Sequence, residues 1–578
     1  MKKKTLQKAL AMAVAVVMSL GTLAGCGSGE TATSESAAAP AESEAAADAE
    51  STDAAETTEA AASESAGIDG WEPFAENVTL TVPVYDRGVE GVPNVSDNYW
   101  TQWIQTEFGD KYNITVEFEP ITRSDVMTSY ALLAAADDLP TILMEYDYPK
   151  LAQWANDGYL TTFDMNEFAA VAPTYYNRMV EEGQIDYTVM NGETYFALAY
   201  RPYYNCGYTF QTFVRMDWLE EVGYDHVPLT REEYVDAMTK IQEAGLCDHP
   251  KGGAMVTGVG SDQNYGFRTY PQDELEWATV GDVNIPALGS EANRKLLKKE
   301  NEDYNLGFTN PEYYITDTET DKAAFVNGNS YQFGGYISAN MDFLTAFYEQ
   351  NPDGKLAIVP AGIEDPDYGT VPAWRADNPF GMIVGFSSSA TEDELKAAWM
   401  YMEWMTQEDV LFTMQWGVEG ENYTVGEDGL PVSVSDYSGD YTQGYNNSKD
   451  YWCVTIEARS TGDFEADVRN NVPQDLPQNF TQDIIDFYNE RVELSQKGYA
   501  VNDPFYSVVI DAETEYSTSL VELYKEYRDQ LTMCAPEEFD ALYDQLSQQY
   551  LDAGFQEVID ERTEAYNNGY STKLPEIG

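Results

Sequence analysis

Hydrophobic and polar positions follow a strand, helix, strand, helix, strand order near the start of the main body. The stretches "VTLTVPVYD" (78–86), "ITVEFEPI" (114–121) and "TILMEYD" (141–147) each predict a strand. Between them, apolar residues at helical spacing predict one helix that ends near Gly109 and a second that Pro140 stops. This order is typical of a parallel sheet with helices on its faces. In open sheets of that kind, ligands bind at the carboxyl ends of the strands.

Later helices carry recognisable start signals. Thr230 with Glu233, and Thr391 with Glu394, have the spacing of a capping box, in which each side chain accepts a backbone N–H at the helix start. The apolar stripes of the last predicted helices, between 539 and 559, have the period of a core-facing helix surface. We therefore expect these stripes to pack in a hydrophobic core.

The amino terminus has the pattern of a secretory signal. Four lysines within residues 2–8 precede the apolar run 9–20, which is shorter than the roughly 20 residues of a membrane-spanning helix. The run ends in "LAGC", which resembles the lipobox of bacterial lipoproteins. That resemblance implies a lipoprotein signal peptide over 1–25 and a lipid on Cys26, which becomes the mature amino terminus. An ordinary secretory signal with an incidental cysteine is the alternative.

The next forty residues differ sharply in composition from the rest of the chain. Residues 27–66 contain no Lys, Arg or aromatic residue, and they are rich in Ala, Glu, Ser and Thr. Such a segment has nothing to bury and repels itself, so the sequence predicts a disordered acidic tether over 26–66. A flexible chain of this length spans about 35 Å root-mean-square.

Composition limits the classes of partner. The chain of 578 residues has a formal net charge of −68, which disfavours nucleic acid and anionic lipid surfaces as partners. Its length predicts more than one lobe, and its 13% of aromatic residues predicts well-formed cores. No C-x-x-C spacing indicates a zinc or redox site. Disulfides or free thiols are both open for the cysteines beyond Cys26, which are Cys206, Cys247, Cys453 and Cys534.

Catalytic motifs are absent from the sequence. The two histidines, His226 and His249, lie in predicted loops outside any H-E-x-x-H pattern, and the sequence has no G-x-S-x-G elbow and no phosphate-binding loop. We therefore predict a protein that is not an enzyme and needs no cofactor. Sequence spacing says nothing about the distance between two carboxylates in space, so a cell-surface glycoside hydrolase stays as an alternative.

Several longer motifs occur in the order of a known family. They are "DDLPTILMEYD", "GETYFALAY", "FVRMDWLEEVGYDHVPLTREEYVDAMTKI", "AAFVNGNSYQFGGY" and "GVEGENYTVGEDGLPV". Through them, residues 70–570 resemble the extracellular solute-binding proteins of bacterial ABC importers, family 1. The subgroup they resemble most is the LplA-like lipoproteins associated with oligosaccharide uptake.

The resemblance implies an α/β architecture, namely a two-lobed periplasmic-binding-protein-like (type II) fold with hinge crossovers and additional C-terminal helices. It places the first segment of lobe 1 at 67–210 and lobe 2 at 211–378. The chain then returns to lobe 1 over 379–455. The remaining helical segment, 456–578, is expected to pack mainly on lobe 2.

The resemblance also implies a function. An oligosaccharide or related carbohydrate would be captured in the cleft between the lobes and delivered to the permease subunits of an ABC transporter. The expected state is a monomer on the extracytoplasmic face of the cell membrane, attached through its lipid alone and without a nucleic-acid partner. A binding protein for peptide or another polar solute on the same scaffold is the alternative, because a fold does not fix its ligand.

Candidate ligand-binding residues follow from position in the family plan and from the aromatic and polar groups that a sugar needs. Trp416 has the alternative role of holding its loop together with Tyr423, and Trp374 that of a surface-loop anchor. Arg215 and Asp217 are predicted to form a structural pair at the hinge. The full candidate set is Glu145, Tyr146, Asp147, Arg201, Tyr203, Tyr204, Asn205, Tyr336, Trp374, Arg375, Asp377 and Trp416.

One departure from the family concerns metal binding. Many relatives carry an acidic loop that can hold calcium after the helix that Thr230 begins. The equivalent stretch here is "CDHPKGGAMVTGVGSDQNYG", in which Asp248 and Asp262 do not make an oxygen cage for Ca²⁺. The sequence therefore predicts no metal at this loop.

Overall fold

The structure is a computed structural model that describes most of the chain from Gly70 onward. It covers residues 70–88, 93–202, 210–252, 275, 279, 285–336, 342–361, 374–375, 378–434, 449–472, 476–477, 480–497, 500–501 and 503–571. The predicted signal peptide, Cys26 and the tether lie outside the described residues, as do Tyr203, Tyr204, Asn205, Cys206, Asp262 and Asp377. For Tyr336, Trp374 and Arg375 the description is of the backbone alone.

The strands of the described residues are numbered along the chain. They are β1 (Val78–Asp86), β2 (Ile114–Thr122), β3 (Ile142–Glu145), β4 (Val189–Met190), β5 (Glu193–Thr194), β6 (Ala197–Leu198), β7 (Phe210–Arg215), β8 (Gln332–Tyr336), β9 (Leu356–Ile358), β10 (Trp374–Arg375), β11 (Ile383–Phe386), β12 (Tyr423–Val425), β13 (Pro431–Ser433) and β14 (Ala500–Val501).

Helices make up most of the remaining structure. They span Tyr99–Ile104, Asp110–Tyr112, Val126–Ala136, Tyr148–Asn156, Met165–Val171, Pro173–Glu181, Met216–Glu221, Arg231–Glu243, Glu291–Asn305, Thr318–Val326, Asp342–Gln350, Glu392–Met405, Glu408–Trp416, Lys449–Trp452, Phe464–Asn471, Phe480–Gln496, Asp511–Met533, Phe539–Tyr550 and Gln556–Asn567. Within the described ranges, no helix is both long and apolar enough to cross a bilayer.

The predicted parallel pairing holds for the first two strands. β1 and β2 are parallel, in a register that runs from Val78 opposite Ile114 to Asp86 opposite Thr122. β3 pairs instead with β11, in antiparallel orientation, and β11 also pairs with β6. The partner of β3 in this three-stranded sheet comes from far along the chain. Local periodicity gives no signal for such a pairing.

One large hydrophobic core defines the first lobe. Its residues come from two stretches, Val78–Ala199 and Phe380–Ile456, with Tyr506 added from the C-terminal segment. The helix Glu392–Met405 is buried from Ala397 onward. Its start has the predicted capping box: the Glu394 N–H donates to Thr391 Oγ1 at 3.3 Å, and the Thr391 N–H donates to Glu394 Oε2 at 2.8 Å.

The second lobe is built around the antiparallel sheet β8–β7–β9. We define it by its core residues between Phe213 and Ala361, which share two cores with residues 468–494 and 512–558 of the C-terminal segment. Phe539, Leu546 and Tyr550 are buried there, as the stripe pattern predicted. The capping box predicted at Thr230 is half formed. The Glu233 N–H donates to Thr230 Oγ1, but Glu233 Oε2 accepts the N–H of Leu229 instead of that of Thr230.

Three chain segments near the predicted lobe boundaries are hydrogen-bonded to one another. The Gly381 N–H donates to the Ala199 carbonyl at 2.9 Å, and the Glu457 N–H donates to the Tyr200 carbonyl at 2.8 Å. Gly381 is also close-packed, because an added Cβ would come within 3.1 Å of the Tyr200 carbonyl oxygen. We call residues 199–201, 381–382 and 455–457 the hinge segments.

The sequence leaves open whether the cysteines form disulfides or stay free, and the structure answers this for three of them. Cys247, Cys453 and Cys534 are free thiols. Cys453 is fully buried, and that burial raises the pKa of its thiol to about 12. Cys453 therefore acts as a small core side chain, whereas Cys247 and Cys534 are only partly buried.

Candidate ligand-binding site

The carboxyl ends of β1, β2 and β3 bring a compact group of polar and aromatic side chains together. Tyr85 ends the buried part of β1 and Arg87 follows it, Arg123 follows β2, and Glu145 ends β3, with Tyr146 next along the chain. We call these five residues the strand-end site. Arg123 and Tyr146 are partly exposed, while Tyr85 and Glu145 are buried beneath them.

Glu145 is the buried acceptor of the strand-end site, with 2% of its surface exposed. Its Oε1 accepts the Tyr146 N–H at 2.8 Å, and its Oε2 accepts the Tyr85 hydroxyl at 3.5 Å. Burial, and then the Glu145 carboxylate, raise the pKa of Tyr85 well above its ordinary value. The phenol therefore stays a neutral hydrogen-bond donor, and each Glu145 oxygen accepts a hydrogen bond from within the site.

Arg87 forms a two-point ion pair with Asp450. Its Nε donates to Oδ2 at 3.0 Å and its terminal nitrogen donates to Oδ1 at 2.8 Å. Burial alone would lower the pKa of Arg87, but the hydrogen bond and charge of Asp450 outweigh it and raise the pKa. The pair fixes the helix Lys449–Trp452 against the end of β1.

Arg123 has a different environment from Arg87. Its guanidinium carbon lies 4.8 Å from the centre of the Tyr85 ring and 5.9 Å from that of Tyr146. Its closest carboxylate is that of Glu145, at 4.0 Å, which is beyond hydrogen-bond distance. The contacts of Arg123 are therefore with two ring faces and with the buried Glu145 carboxylate, which lies at ion-pair distance without a hydrogen bond.

Tyr146 is held by residues from two distant parts of the chain. The Asn378 side-chain amide donates to the Tyr146 carbonyl at 3.2 Å, and the Tyr506 hydroxyl donates to Asn378 Oδ1 at 2.7 Å. Asn378 precedes the hinge segment 381–382, and Tyr506 belongs to the C-terminal segment. The strand-end site is thus connected to the region where the chain passes between the lobes.

Asp147, the third candidate on this loop, begins a helix. Its Oδ1 accepts the Lys150 N–H at 3.3 Å, and its Oδ2 pairs with the Lys150 ammonium at 3.2 Å. An N-cap aspartate satisfies a backbone donor that the first helical turn leaves open. Ligand contact by Asp147 stays a prediction beside this observed capping role.

Arg201 and Trp416 are packed against partners outside the strand-end site. Arg201 is buried in an ion pair with Glu457 within the hinge segments. Trp416 is 2% exposed, with the Arg459 guanidinium carbon 4.3 Å from its ring centre and Tyr423 against its edge. This packing matches the loop-holding role expected for Trp416, and ligand contact by either residue stays a prediction. The predicted pair Arg215–Asp217 is confirmed, with Nε to Oδ1 at 2.9 Å.

Other members of the site were missed at the sequence level. Tyr85, Arg87 and Arg123 belong to it, three further residues hold it in place, and none of the six is a candidate from the sequence; the three further residues are Asn378, Asp450 and Tyr506. For Tyr85, Arg87 and Arg123 the sequence does hold a signal, since all three lie near the carboxyl end of a predicted strand, where open sheets bind ligands. For the other three there was none, because their place depends on the tertiary fold.

A separate polar cavity of about 420 Å³ lies in the second lobe, beside the loop that departs from the family. Its lining includes Cys247, Asp248, His249, Thr316 and Asp321. Burial raises the pKa of Asp321 to about 6. Among the described residues, no group of three or more His, Cys, Asp or Glu side chains is placed to hold a metal ion.

Solved structures with the same architecture cover nearly the whole described body. The alginate-binding protein AlgQ2 aligns with 86% of this chain and 99% of its own, at 15% identity and a TM-score of 0.57. The substrate-binding protein FusA of S. pneumoniae, solved with kestose, aligns with 85% of this chain and 99% of its own, at 12% identity and a TM-score of 0.58. At such identities the likeness shows the fold, which is the two-lobed α/β type II fold.

Sequence comparison gives a relative and a family. The polygalacturonan/rhamnogalacturonan-binding protein YtcQ of Bacillus subtilis is 25% identical over 225 residues, which are 37% of this chain. The matched part is 43% of the length of YtcQ, so the chain spans less than half of that relative. These matches are to binding proteins and not to enzymes. Residues 93–411 match the family model for the bacterial extracellular solute-binding proteins, and the chain belongs to that family.

Proposed function

We propose that this protein captures a carbohydrate between its two lobes and delivers it to the permease of an ABC importer. The observation that carries the proposal is the strand-end site. Partly exposed Tyr146 and Arg123 lie over a buried layer of Tyr85 and Glu145, where open α/β sheets bind their ligands. Aromatic faces beside a few fixed polar groups suit the C–H faces and hydroxyls of a sugar.

The comparisons support carbohydrate as the ligand class. The relative YtcQ is named for pectic polysaccharides, AlgQ2 is named for alginate, and FusA was solved with kestose. These glycans include both acidic and neutral ones, so the names alone leave the charge of the ligand open. On this proposal the remaining candidates, Tyr336, Trp374, Arg375 and Asp377 among them, supply the opposite wall of the cleft.

Delivery would use the hinge. Ligand contacts with both lobes favour the closed arrangement, and the permease would recognise that arrangement. The protein performs no covalent chemistry on this account and acts as a monomer.

A thermal-shift screen of the purified protein tests the ligand class. The panel is trigalacturonate, trimannuronate, kestose and a mixture of short peptides. A ligand present at 100 times its Kd raises the free energy of unfolding by about 2.7 kcal/mol. Stabilisation by at least one glycan is expected. Stabilisation by peptides alone would overturn the proposal in favour of a peptide receptor, and release of reducing ends from a glycan would favour a glycoside hydrolase.

Lipid attachment through Cys26 is the proposed way in which the protein stays at the extracytoplasmic face of the membrane. Two acyl chains give stable anchoring where one does not. The full chain, expressed in a Gram-positive host with labelled palmitate, should carry the label. Cys26→Ala should lose it, whereas Cys247→Ala should keep it. Label on Cys26→Ala would contradict the anchor.

A further inference from the structure

Two arginines lie at the strand-end site, and their partners differ. The Arg87 guanidinium is matched by both oxygens of Asp450, a carboxylate that is 2% exposed. Arg123 has no such match: in the described part of the chain its contacts are two ring faces and Glu145 at 4.0 Å. The two side chains therefore have different capacities to bind a ligand.

Glu145 does not fill the hydrogen-bonding capacity of Arg123. Its nearer oxygen, Oε2, lies 4.0 Å from the terminal nitrogen of Arg123, which is too far for a hydrogen bond. A guanidinium carries five N–H donors in a planar fork and stays charged at all ordinary pH values. The Arg123 side chain is 36% exposed, so these donors have access to the space over the strand ends.

The ring contacts fix the direction of the guanidinium. Tyr85 is fully buried and has its hydroxyl bonded to Glu145, so it forms a rigid surface under Arg123. Stacking on an aromatic ring holds the guanidinium plane and leaves its edges for a ligand. A pre-ordered fork of this kind matches the two oxygens of a carboxylate, in a bond roughly twice as strong as one between neutral groups.

We infer that Arg123 binds a carboxylate of the ligand, and that the carbohydrate is therefore an acidic one, built from uronic acids. This inference rests on the proposed function. The net charge of −68 does not oppose it, because charges farther away than the Debye length of about 8 Å are largely screened at physiological salt. Within that distance the Glu145 carboxylate is buried beneath the site, whereas the partly exposed Arg123 presents its donors to the space over the strand ends.

The test compares acidic and esterified forms of the same sugars. Trigalacturonate, trimannuronate and their methyl esters keep the same rings and hydroxyls, while the esters lack the charge. Calorimetric titration of the full mature protein gives the Kd for each, with kestose as a neutral glycan. We expect at least one acid to bind, and its ester to bind at least tenfold more weakly.

Three variants assign that preference to Arg123. Arg123→Gln should raise the Kd of the acidic sugar by about 10- to 100-fold, as expected for the loss of hydrogen bonds to a charged group. It should leave the weaker binding of the ester nearly unchanged. Arg123→Lys keeps the charge but lacks the planar guanidinium, so its Kd for the acidic sugar should lie between those of the wild type and Arg123→Gln. Arg469→Gln removes an equal charge from an exposed pair with Glu465 in the C-terminal segment and should bind like the wild type.

The outcomes separate this inference from the function it rests on. Equal binding of acid and ester, binding of kestose but of neither acid, or equal losses for acid and ester in Arg123→Gln would each overturn the role of Arg123 and leave carbohydrate capture standing. If no glycan binds to the wild type, the proposed function fails and the inference fails with it. Circular dichroism spectra of Arg123→Gln and of the milder Arg123→Lys, compared with the wild type, show whether a loss of binding comes from unfolding.

Discussion

Arg201 and Glu457 join two of the hinge segments through a two-point ion pair. The Arg201 terminal nitrogen donates to Glu457 Oε1 at 2.9 Å, and its Nε donates to Oε2. Both side chains are buried, and the backbones on either side are bonded to each other, with the Glu457 N–H donating to the Tyr200 carbonyl. The pair therefore holds the chain in place where it passes between the lobes.

Breaking this pair should destabilise the protein. Glu457→Gln leaves the buried guanidinium without its charge partner, which costs about 3–5 kcal/mol in comparable buried pairs. Arg201→Met with Glu457→Leu removes both charges and should recover most of the loss. Chemical denaturation gives the free energy of unfolding of both variants. The sequence also predicts that Arg201 contacts ligand. In that case Arg201→Lys should raise the Kd for the glycan under conditions in which denaturation shows that the variant is still fully folded.

Gly417 begins the loop of the "GVEGENY" motif in a conformation that suits glycine alone. Its φ is 76° and its ψ is −134°, and an added Cβ would run into the Asn422 side chain. Asn422 Oδ1 accepts the Val418 N–H at 2.9 Å, so it cannot move away freely. Gly420 also has a positive φ, of 82°, but an added Cβ there meets nothing within 4 Å.

These two glycines form a matched pair for substitution. Gly420→Ala should destabilise by about 1 kcal/mol through the backbone term alone. Gly417→Ala adds a steric clash and should destabilise by about 3 kcal/mol. Thermal unfolding of the two variants measures the difference. Equal losses would mean that the Asn422 contact does not constrain the loop.

The sequence predicts the local structure well because its signals are local. The strand at 78–86, the helix that Thr391 begins and the buried stripe around Phe539 each depend on neighbours within a few residues. β3 shows the limit, since its partner β11 comes more than two hundred positions later. For the same reason, Asn378 and Tyr506 could not be linked to Tyr146 before the fold was known.

Arg201 shows a different limit of site prediction. A charged residue in an aromatic-rich stretch, "AYRPYYNCGY", looks like a ligand contact, but its charge is matched by Glu457 from a distant segment. Arg123 is the opposite case, because its sequence context "PITRSD" is unremarkable and the role proposed for it rests on the Tyr85 ring beneath it. A single sequence does not say which charges are paired.

Tyr146 should contribute to glycan binding. It is partly exposed at the end of β3, and Asn378 holds its backbone. Tyr146→Ala should raise the Kd of the glycan found in the screen by about tenfold, because the contact with the aromatic ring is lost. Tyr159→Ala is the control, since Tyr159 is 37% exposed in the same lobe and outside the strand-end site. If both variants bind equally well, Tyr146 does not contact the ligand.

Asp321 should make stability depend on pH. Burial raises the pKa of its carboxyl to about 6, above the value of about 3.9 for an unfolded chain. The folded state therefore binds more protons between these values, and its contribution to stability falls as pH rises from 4 to 6. Asp321→Asn removes this penalty. It should raise the melting temperature at pH 7.5, by an amount equivalent to about 1–2 kcal/mol, and change it little at pH 4.

Lys251 is the buried cation of the loop that departs from the family. Its ammonium lies 2.6 Å from Glu300 Oε2 and 2.9 Å from Asp303 Oδ2, and Arg231 also contacts Asp303. Burial alone would raise the pKa of Asp303, but the charges of Lys251, Arg231 and Lys299 outweigh it and lower the pKa. The stabilisation from Asp303 is thus complete above about pH 4 and is lost only as pH falls through its lowered pKa.

Replacing this lysine should expose how much the loop depends on a built-in charge. Lys251→Met leaves two buried carboxylates short of a cation and should cost about 3–5 kcal/mol at pH 7. The loss should shrink towards pH 4, because the carboxyls can then take up protons. Lys355→Met, which breaks an exposed pair with Glu220, should change the melting temperature little. The Lys251 ammonium already neutralises the buried carboxylates of Glu300 and Asp303, so no metal ion is needed there. We therefore expect that neither EDTA nor added calcium shifts the melting temperature of the wild type. A shift with either reagent would contradict the prediction that this loop binds no metal.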